Sequence, residues 1–389
     1  MRKFYTGIDI GSMLVKIVIA APAERPDVPM QILGTGTAAS KGMRHGYVID
    51  RAEASRSIKE ALMRASAAAK VNVRNARIAI GGVGLDESRS TGDVSLTPSG
   101  GIVTERDIER ALKDSETRAS GKLTNRTVIH TIPLEYRVDG VKVIGKAVGL
   151  QGAKLSVDTL LITSLSQHHD DLIDAVEGAG VEVEGIMASP LAASLVALTK
   201  AQKTAGVCLA NIGSETLSIV VFDDDIPVSL KVYAQGSADI TNTIALSFQI
   251  PLTEAEQFKK GAVTGSDIPL KKVQLIITSQ LRDLFGLINT HLKSINRSRL
   301  LPAGIVITGG GSGVESIPDI AKTVLKLPSQ IGNAGNMTRG AGSDATWTVA
   351  YGLCRWGFGE DMSERGGSFS DMLRHAWESL KQSFRALLP

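Results

Sequence analysis

Apolar residues in this chain fall mostly into short runs with strand spacing, separated by segments whose apolar positions recur every three or four residues. Residues 4–10 and 14–21 read as two strands joined by Gly11-Ser12-Met13, and 31–37 extends them into an antiparallel meander. The stretch 52–70 carries Ile58, Ala61, Leu62, Ala65 and Ala69 on one helical face, which predicts a helix packed on that sheet. A strand at 77–80 then runs into Gly81-Gly82. Between about 85 and 165 the pattern changes. One helix at 105–118, whose start at Thr104 with Asp107 nearby has the form of a capping box, is followed by two alternating runs, 127–136 and 156–163. This predicts a small α/β insertion carried by the first domain. Helices at 165–180 and 190–200 return the chain to that domain.

From Gly206 the opening pattern recurs. Strands are expected at 207–210, 217–222 and 228–233, again with a glycine turn between the first two. Helices follow from Gly236 through Phe248, at 253–260 with Thr253 as its cap, and at 273–294. A strand at 304–308 comes next, then a helix with Pro318 in its first turn, where proline is tolerated. The last helix of the globular body is expected at 341–356. Strand–turn–strand–strand thus occurs twice, and a duplicated half implies a cleft between halves.

Bulk properties narrow the picture. At 389 residues the chain exceeds one ordinary core, so two or more domains are expected. With 43% hydrophobic and 21% charged residues it reads as a soluble globular protein. The net charge of +3, with no basic run interleaved with aromatics, argues against nucleic acid as a partner. Cys208 and Cys354 each sit in an apolar segment, as reduced core residues do. The N-terminus runs straight into a strand, and no stretch approaches the ~18–20 apolar residues of a membrane span. A cytoplasmic location is expected.

Chemistry is concentrated in three glycine turns, each at the end of an apolar strand. They are Gly7-Ile8-Asp9-Ile10-Gly11-Ser12, Asn211-Ile212-Gly213-Ser214-Glu215-Thr216 and Thr308-Gly309-Gly310-Gly311-Ser312-Gly313. Turn amides and the Ser12 hydroxyl can bond phosphate oxygens, Asp9 can hold Mg²⁺ directly or through water, and Lys16 can reach the same phosphates. Neither a Walker sequence nor a G-x-G-x-x-G fingerprint occurs, which disfavours P-loop and Rossmann mechanisms. Beyond the body, 357–367 has the composition of a flexible linker. After it, Phe369, Met372, Leu373, Ala376, Trp377, Leu380, Phe384, Leu387 and Leu388 fall on a 3-and-4 spacing, opposite Asp371, Arg374, Glu378, Lys381 and Arg385. That pattern fits a helix in a lipid interface, or one docked on a protein surface.

The three turns, in this order and separation, resemble those of the actin/Hsp70/sugar-kinase superfamily, with a ribonuclease H-like two-lobed ATPase fold. Three longer runs make the resemblance narrower: Ser40-Lys41-Gly42-Met43-Arg44-His45-Gly46-Tyr47-Val48-Ile49-Asp50, Ile132-Pro133-Leu134-Glu135-Tyr136-Arg137-Val138-Asp139-Gly140, and Val148-Gly149-Leu150-Gln151-Gly152-Ala153-Lys154-Leu155. Through them the chain resembles the FtsA family of bacterial cell-division actin homologues from end to end. The resemblance implies subdomain IA at 1–84, continued at 166–190 and about 341–356, and the inserted subdomain 1C at 85–165 in place of actin IB. It implies IIA at 191–235 and 296–340, a short IIB at 236–295, the linker, and a membrane-targeting amphipathic helix at 368–389.

It also implies ATP and Mg²⁺ as ligands. The nucleotide would be held by Gly11, Ser12, Lys16, Asn211, Gly213, Ser214, Glu215, Thr216, Gly236, Lys259, Gly309, Gly310, Gly311 and Ser312, with Asp9 on the metal. Membrane contact would come from Phe369, Met372, Leu373, Trp377, Leu380, Phe384 and Leu387. The implied function is an actin-like filament on the cytoplasmic face of the bacterial inner membrane at the division site. It would bind itself, membrane lipids, the C-terminal peptide of the tubulin-like protein FtsZ through Arg282, Arg297 and Arg299, and other division proteins through 1C. Two departures stand out. Asn211 and Ser214-Glu215 replace an aspartate and a glycine run, so hydrolysis is expected to be weak or absent, with Glu215 as partial compensation or as a solvated turn residue. Subdomain IIB is clipped near 265–273. An adaptor of the PilM type, from pilus assembly, is the alternative. A phosphotransferase of the sugar-kinase group would need a catalytic carboxylate and a sugar site, for which no convincing candidate is found. An Hsp70-type chaperone would need a β-rich substrate domain that the ~30 residues of linker and helix do not form.

Overall fold

The computed structural model describes residues 3–22, 29–96, 101–262, 268–332 and 344–364. The first lobe opens with β1 (Tyr5–Ile10), β2 (Leu14–Ala21) and β3 (Gln31–Ala39). A small ribbon follows, β4 (Met43–Arg44) with β5 (Tyr47–Val48), then α1 (Arg51–Ala69) and β6 (Asn75–Ile80). The side chain of Asp50 accepts from Glu53 N–H at the start of α1, satisfying a helix-end donor. The insertion holds β7 (Asp86–Ser95), β8 (Gly101–Ile102), α2 (Glu105–Ala119), β9 (Arg126–Val138), β10 (Val141–Lys142), β11 (Gln151–Gly152) and β12 (Lys154–Leu165). Its main sheet has the order β10-β9-β12-β7. The capping box of Thr104 and Asp107 starts α2 as its spacing predicts.

The chain returns through α3 (Ser166–Glu177), β13 (Glu182–Ala188) and α4 (Ser189–Ala197). The second lobe then has α5 (Lys200–Ala205), β14 (Val207–Ile212), β15 (Leu217–Asp223), β16 (Ile226–Tyr233), α6 (Ser237–Phe248), α7 (Leu252–Lys259) and α8 (Leu270–Ser294). After these come β17 (Ile305–Thr308), α9 (Ile317–Leu325) and β18 (Ser329–Ile331), and α10 (Thr348–Glu364) goes back to the first lobe.

The duplication is complete at the level of topology. One sheet has the order β3-β2-β1-β6-β13 and the other β16-β15-β14-β17-β18. In each, three strands pair antiparallel, the inner strand (β1 or β14) pairs parallel with a later one (β6 or β17), and that strand pairs parallel with the outermost (β13 or β18). The central strands are covered on both faces, which is why β2 and β15 read as almost unbroken apolar runs. In the first lobe, α1 covers one face through Ile58, Ala61 and Ala65, while α10 covers the other through Ala350, Tyr351 and Cys354. In the second, Leu281, Leu284, Phe285 and Ile288 of α8 join one core with Ile219 and Val221. Each large side chain so buried contributes about 1.5–3 kcal/mol. Both cysteines are buried and unpaired, as their apolar settings predict.

Several expectations need correction. The outer strands β13 and β18 were not expected. Thr253 does not cap α7, which starts after Pro251 with no side-chain cap. The flexible linker expected from residue 357 is helical through Glu364. Phe358 is buried against Tyr5, with ring centroids 6.0 Å apart, and Glu360 and Asp361 pair with Arg77 and Lys3. Residues 365–389, with the rest of that linker and Phe369, Met372, Leu373, Trp377, Leu380, Phe384 and Leu387, lie outside the described residues. No helix among the described residues is long and apolar enough to cross a membrane.

Candidate nucleotide cleft

The duplicated topology places two equivalent hairpin turns, β1–β2 and β14–β15, on the two lobes. In the first, Asp9 and Lys16 face each other in register, and Lys16 Nζ lies 3.4 Å from Asp9 Oδ2. Both side chains are mostly buried, so this pair is less screened by solvent than a surface pair. Gly11 N–H closes the turn onto Leu14 O at 3.1 Å. Ser12 Oγ accepts from Gly46 N–H at 3.0 Å, which leaves the serine proton available to a further acceptor.

The second turn is built differently. Gly213 N–H donates to Thr216 O at 2.8 Å, and the turn carbonyls of Gly213 and Ser214 accept from Ser237 N–H and Ala238 N–H. The first amides of α6 are thereby taken up by the turn. Gly236 backs onto Ser214 and donates to the Asp239 carboxylate at 2.7 Å, which reaches back to start the helix. The third turn leans on the second. Gly309 has φ +88°, and a Cβ there would sit 2.4 Å from Asn211 Oδ1 and 2.5 Å from Ile212 O, so only glycine fits. Gly311 packs on Ile212, Ser312 Oγ donates to Gly309 O at 2.7 Å, and Gly310 is exposed. Gly309 N–H also donates to Ala345 O at 3.0 Å, just before α10, which ties this turn to the first lobe.

Lys259 is buried, and its ammonium reaches Ser237 O at 3.1 Å, Thr241 Oγ1 at 2.8 Å and Glu256 Oε2 at 2.5 Å. Burial pulls this lysine below its ordinary range, against the Glu256 carboxylate. In this arrangement its charge braces α6 against α7. Arg282 and Arg299 are exposed, whereas Arg297 is paired with Asp223 at 2.8 Å.

One contributor was not foreseen. The segment between β3 and α1 forms a strap over the first turn: Gly46 holds Ser12, and His45 N–H donates to Glu215 Oε2 at 2.5 Å across the cleft. His45 Nδ1 also lies 3.2 Å from Glu215 O. The run around His45 is conspicuous in the sequence, but its partner is 170 positions away. A second cross-lobe contact links the insertion to β16. There Glu87 accepts from Ser229 Oγ at 2.9 Å and from Leu230 N–H at 2.5 Å, and Lys231 pairs with Asp86 at 3.0 Å.

No group of three or more His, Cys, Asp or Glu among the described residues would hold a metal ion on its own. Asp9 alone suits an ion that arrives with phosphates, because Mg²⁺ commonly takes one or two carboxylates and fills its remaining positions with phosphate oxygens and water.

Comparison with known proteins agrees with this geometry. The family model described as the SHS2 domain inserted in FtsA matches residues 84–163, and the one described as cell division protein FtsA matches residues 208–352. The cell division protein FtsA of Pseudomonas aeruginosa is 26% identical over 396 residues, covering 95% of this chain and 94% of that protein. That of Escherichia coli K12 is also 26% identical, covering 92% and 90%. Among solved structures, the PilM–PilN type IV pilus biogenesis complex superposes with TM-score 0.68 at 19% identity, over 92% of this chain and 99% of that one. MreB 5 of Spiroplasma citri bound to AMPPNP gives 0.54 at 13% identity, over 95% and 100%.

The two like lobes, their facing hairpins and the inserted domain therefore define an actin-like protein. Matched along most of its length by cell-division proteins of one kind, the chain belongs to the FtsA family.

Proposed function

We propose that this chain binds ATP with Mg²⁺ between its lobes, polymerises on the cytoplasmic membrane at the division site, and ties FtsZ filaments to it. The observation that carries the reading is the linkage of three glycine turns from both duplicated sheets, the third packed on the second and the second joined to the first through His45 and Gly46, in a chain of the FtsA family. Asp9 and Lys16 would meet the metal and the phosphates, with Ser12 donating its free proton. The turns of Asn211–Thr216 and Gly309–Ser312 would supply backbone and close approach. Bound MgATP supplies the charge that draws these groups together. Asn211 offers an amide instead of a carboxylate, and Glu215 is engaged with His45, so ATP turnover would be slow or absent. An actin-like relative, MreB 5, is known bound to AMPPNP and to ADP, which supports a nucleotide here.

The apolar stripe from Phe369 to Leu387 would lie in the lipid interface. One tail binds reversibly, and many tails on one filament hold by avidity. Exposed Arg282 and Arg299 suit the acidic C-terminal peptide of FtsZ, and subdomain 1C offers a surface for other division proteins. Electron microscopy on lipid monolayers with ATP, ADP or neither tests the reading. Filaments on the monolayer with ATP, lost when 369–389 are deleted, are expected. Bare monolayers under all three conditions would contradict it and favour a non-polymerising adaptor of the PilM type.

A further inference from the structure

We infer that Glu215 stands in for a terminal phosphate, clasping the lobes when no triphosphate is bound and biasing the cleft towards diphosphate. This rests on the nucleotide reading above. The receiving end of the clasp is the tip of a tight hairpin turn. His45 (φ +48°) and Gly46 (φ +80°) are the two central residues between the paired Arg44 and Tyr47, where both central residues take positive φ and their N–H groups stand outside the strand ladder. The strap is also pinned from behind, since a Cβ on Gly46 would lie 2.4 Å from Gly82 Cα. One of the two amides, Gly46 N–H, is held by Ser12 of the first turn. The other, His45 N–H, is held by the carboxylate of Glu215 from the second turn. The Glu215 carbonyl meets the His45 ring at 3.2 Å, so the clasp has both a side-chain and a backbone arm.

A negative group therefore already sits where the two hairpin turns face each other. A terminal phosphate brings more negative charge and three strong acceptors to the same donors. It must displace the carboxylate or lie beside it, and like charges a few ångströms apart cost about tenfold in affinity even at the dielectric of water, and more where solvent is excluded. A diphosphate is one phosphate shorter and leaves the clasp in place. The cleft of this chain then discriminates against ATP relative to ADP through one side chain.

Glu215→Ala and Glu215→Gln in the full chain test this, by amide hydrogen exchange at His45 without nucleotide and by calorimetric affinities for MgATP and MgADP. In Glu215→Ala the His45 amide should exchange about tenfold faster or more, and the ATP:ADP affinity ratio should rise about tenfold. Glu215→Gln keeps an acceptor without the charge. It should retain most of the protection at His45 and still raise the ratio, a split that a purely structural contact would not produce. A ratio within about twofold of wild type in both variants overturns the proposal. Faster exchange in Glu215→Ala with no nucleotide bound by any of the three proteins overturns the phosphate role and the nucleotide reading together, leaving only a lobe-to-lobe contact. Nucleotide binding with unchanged exchange overturns the clasp while the nucleotide reading survives.

Discussion

The hairpin turns of the two lobes sit at the same place in the same strand order, yet they are held by different forces. In the first, a carboxylate and an ammonium face each other, Gly11 N–H closes onto Leu14 O, and Ser12 holds the strap at Gly46. In the second, charge has given way to packing: Asn211 fits against Gly309, the turn carbonyls collect the first amides of α6, and the acidic side chain is spent on the other lobe. The two turns share a place in the strand order and differ in the side chains that hold them. The first turn keeps the groups that suit a metal and phosphates. The second provides a rigid wall, which ties the cleft to helix α6 and, through Gly309 N–H and Ala345 O, to α10.

The largest effect should follow from breaking the packed turn. Gly309→Ala needs a side chain at φ +88° and within 2.4 Å of Asn211 Oδ1, and should destabilise the protein by about 3 kcal/mol or more, measured by urea unfolding, with nucleotide binding lost. A loss under about 1 kcal/mol would mean that the wall is soft.

The outer strands of the two sheets sharpen the comparison. β13 ends at Ala188, whose N–H donates to His130 Nε2 of the insertion at 3.0 Å, whereas β18 is three residues long and largely exposed. Burial pushes His130 down to about 4 from 6.5, so it is neutral in the fold and able to accept. Between those values the unfolded chain binds a proton that the folded one refuses. Stability therefore falls as pH drops from 6.5 towards 4, by up to about 3 kcal/mol. His130→Gln keeps an acceptor without titrating there and should make that limb of the pH–stability curve shallower, leaving the share of His291, which burial also pushes down to about 4; an unchanged limb would assign the loss elsewhere.

Smaller changes should follow from altering the charged turn. Asp9→Asn should weaken binding of MgATP about tenfold while leaving binding in EDTA little changed, read by calorimetry. Asn211→Asp makes the two turns more alike and should raise ATP turnover by about an order of magnitude, read by phosphate release. Equal turnover would mean that the amide is not what limits the rate. Least of all, Gly310→Ala has nothing within 4 Å of its Cβ and should change stability by under about 0.5 kcal/mol, one residue from the most sensitive position.

Much of this architecture was legible in the sequence, because both meanders alternate or run apolar in the way that buried strands must. The outer strands were not. β13 contains Gly185, which lies under the Trp356 ring, and β18 is too short to show a period. The end of α10 was hidden by composition. Gly357-Phe358-Gly359 looks like a tether until Phe358 finds Tyr5 and Glu360 finds Arg77, partners more than 280 positions away. At the cleft, the glycine turns announced themselves locally. The His45–Glu215 contact depends on how the lobes close, and no local pattern encodes that. Lys259 was visible as a residue, with Glu256 one turn earlier on the same helix, but its engagement by Ser237 and Thr241 required the packing of α6 on α7.

Calorimetric titration of ATP into the full chain in magnesium buffer tests the central claim most directly. The account predicts uptake at one site per chain, weakened by Asp9→Asn and abolished by Gly309→Ala. Absence of any binding heat for ATP and ADP, across temperatures at which the protein is folded, would contradict it.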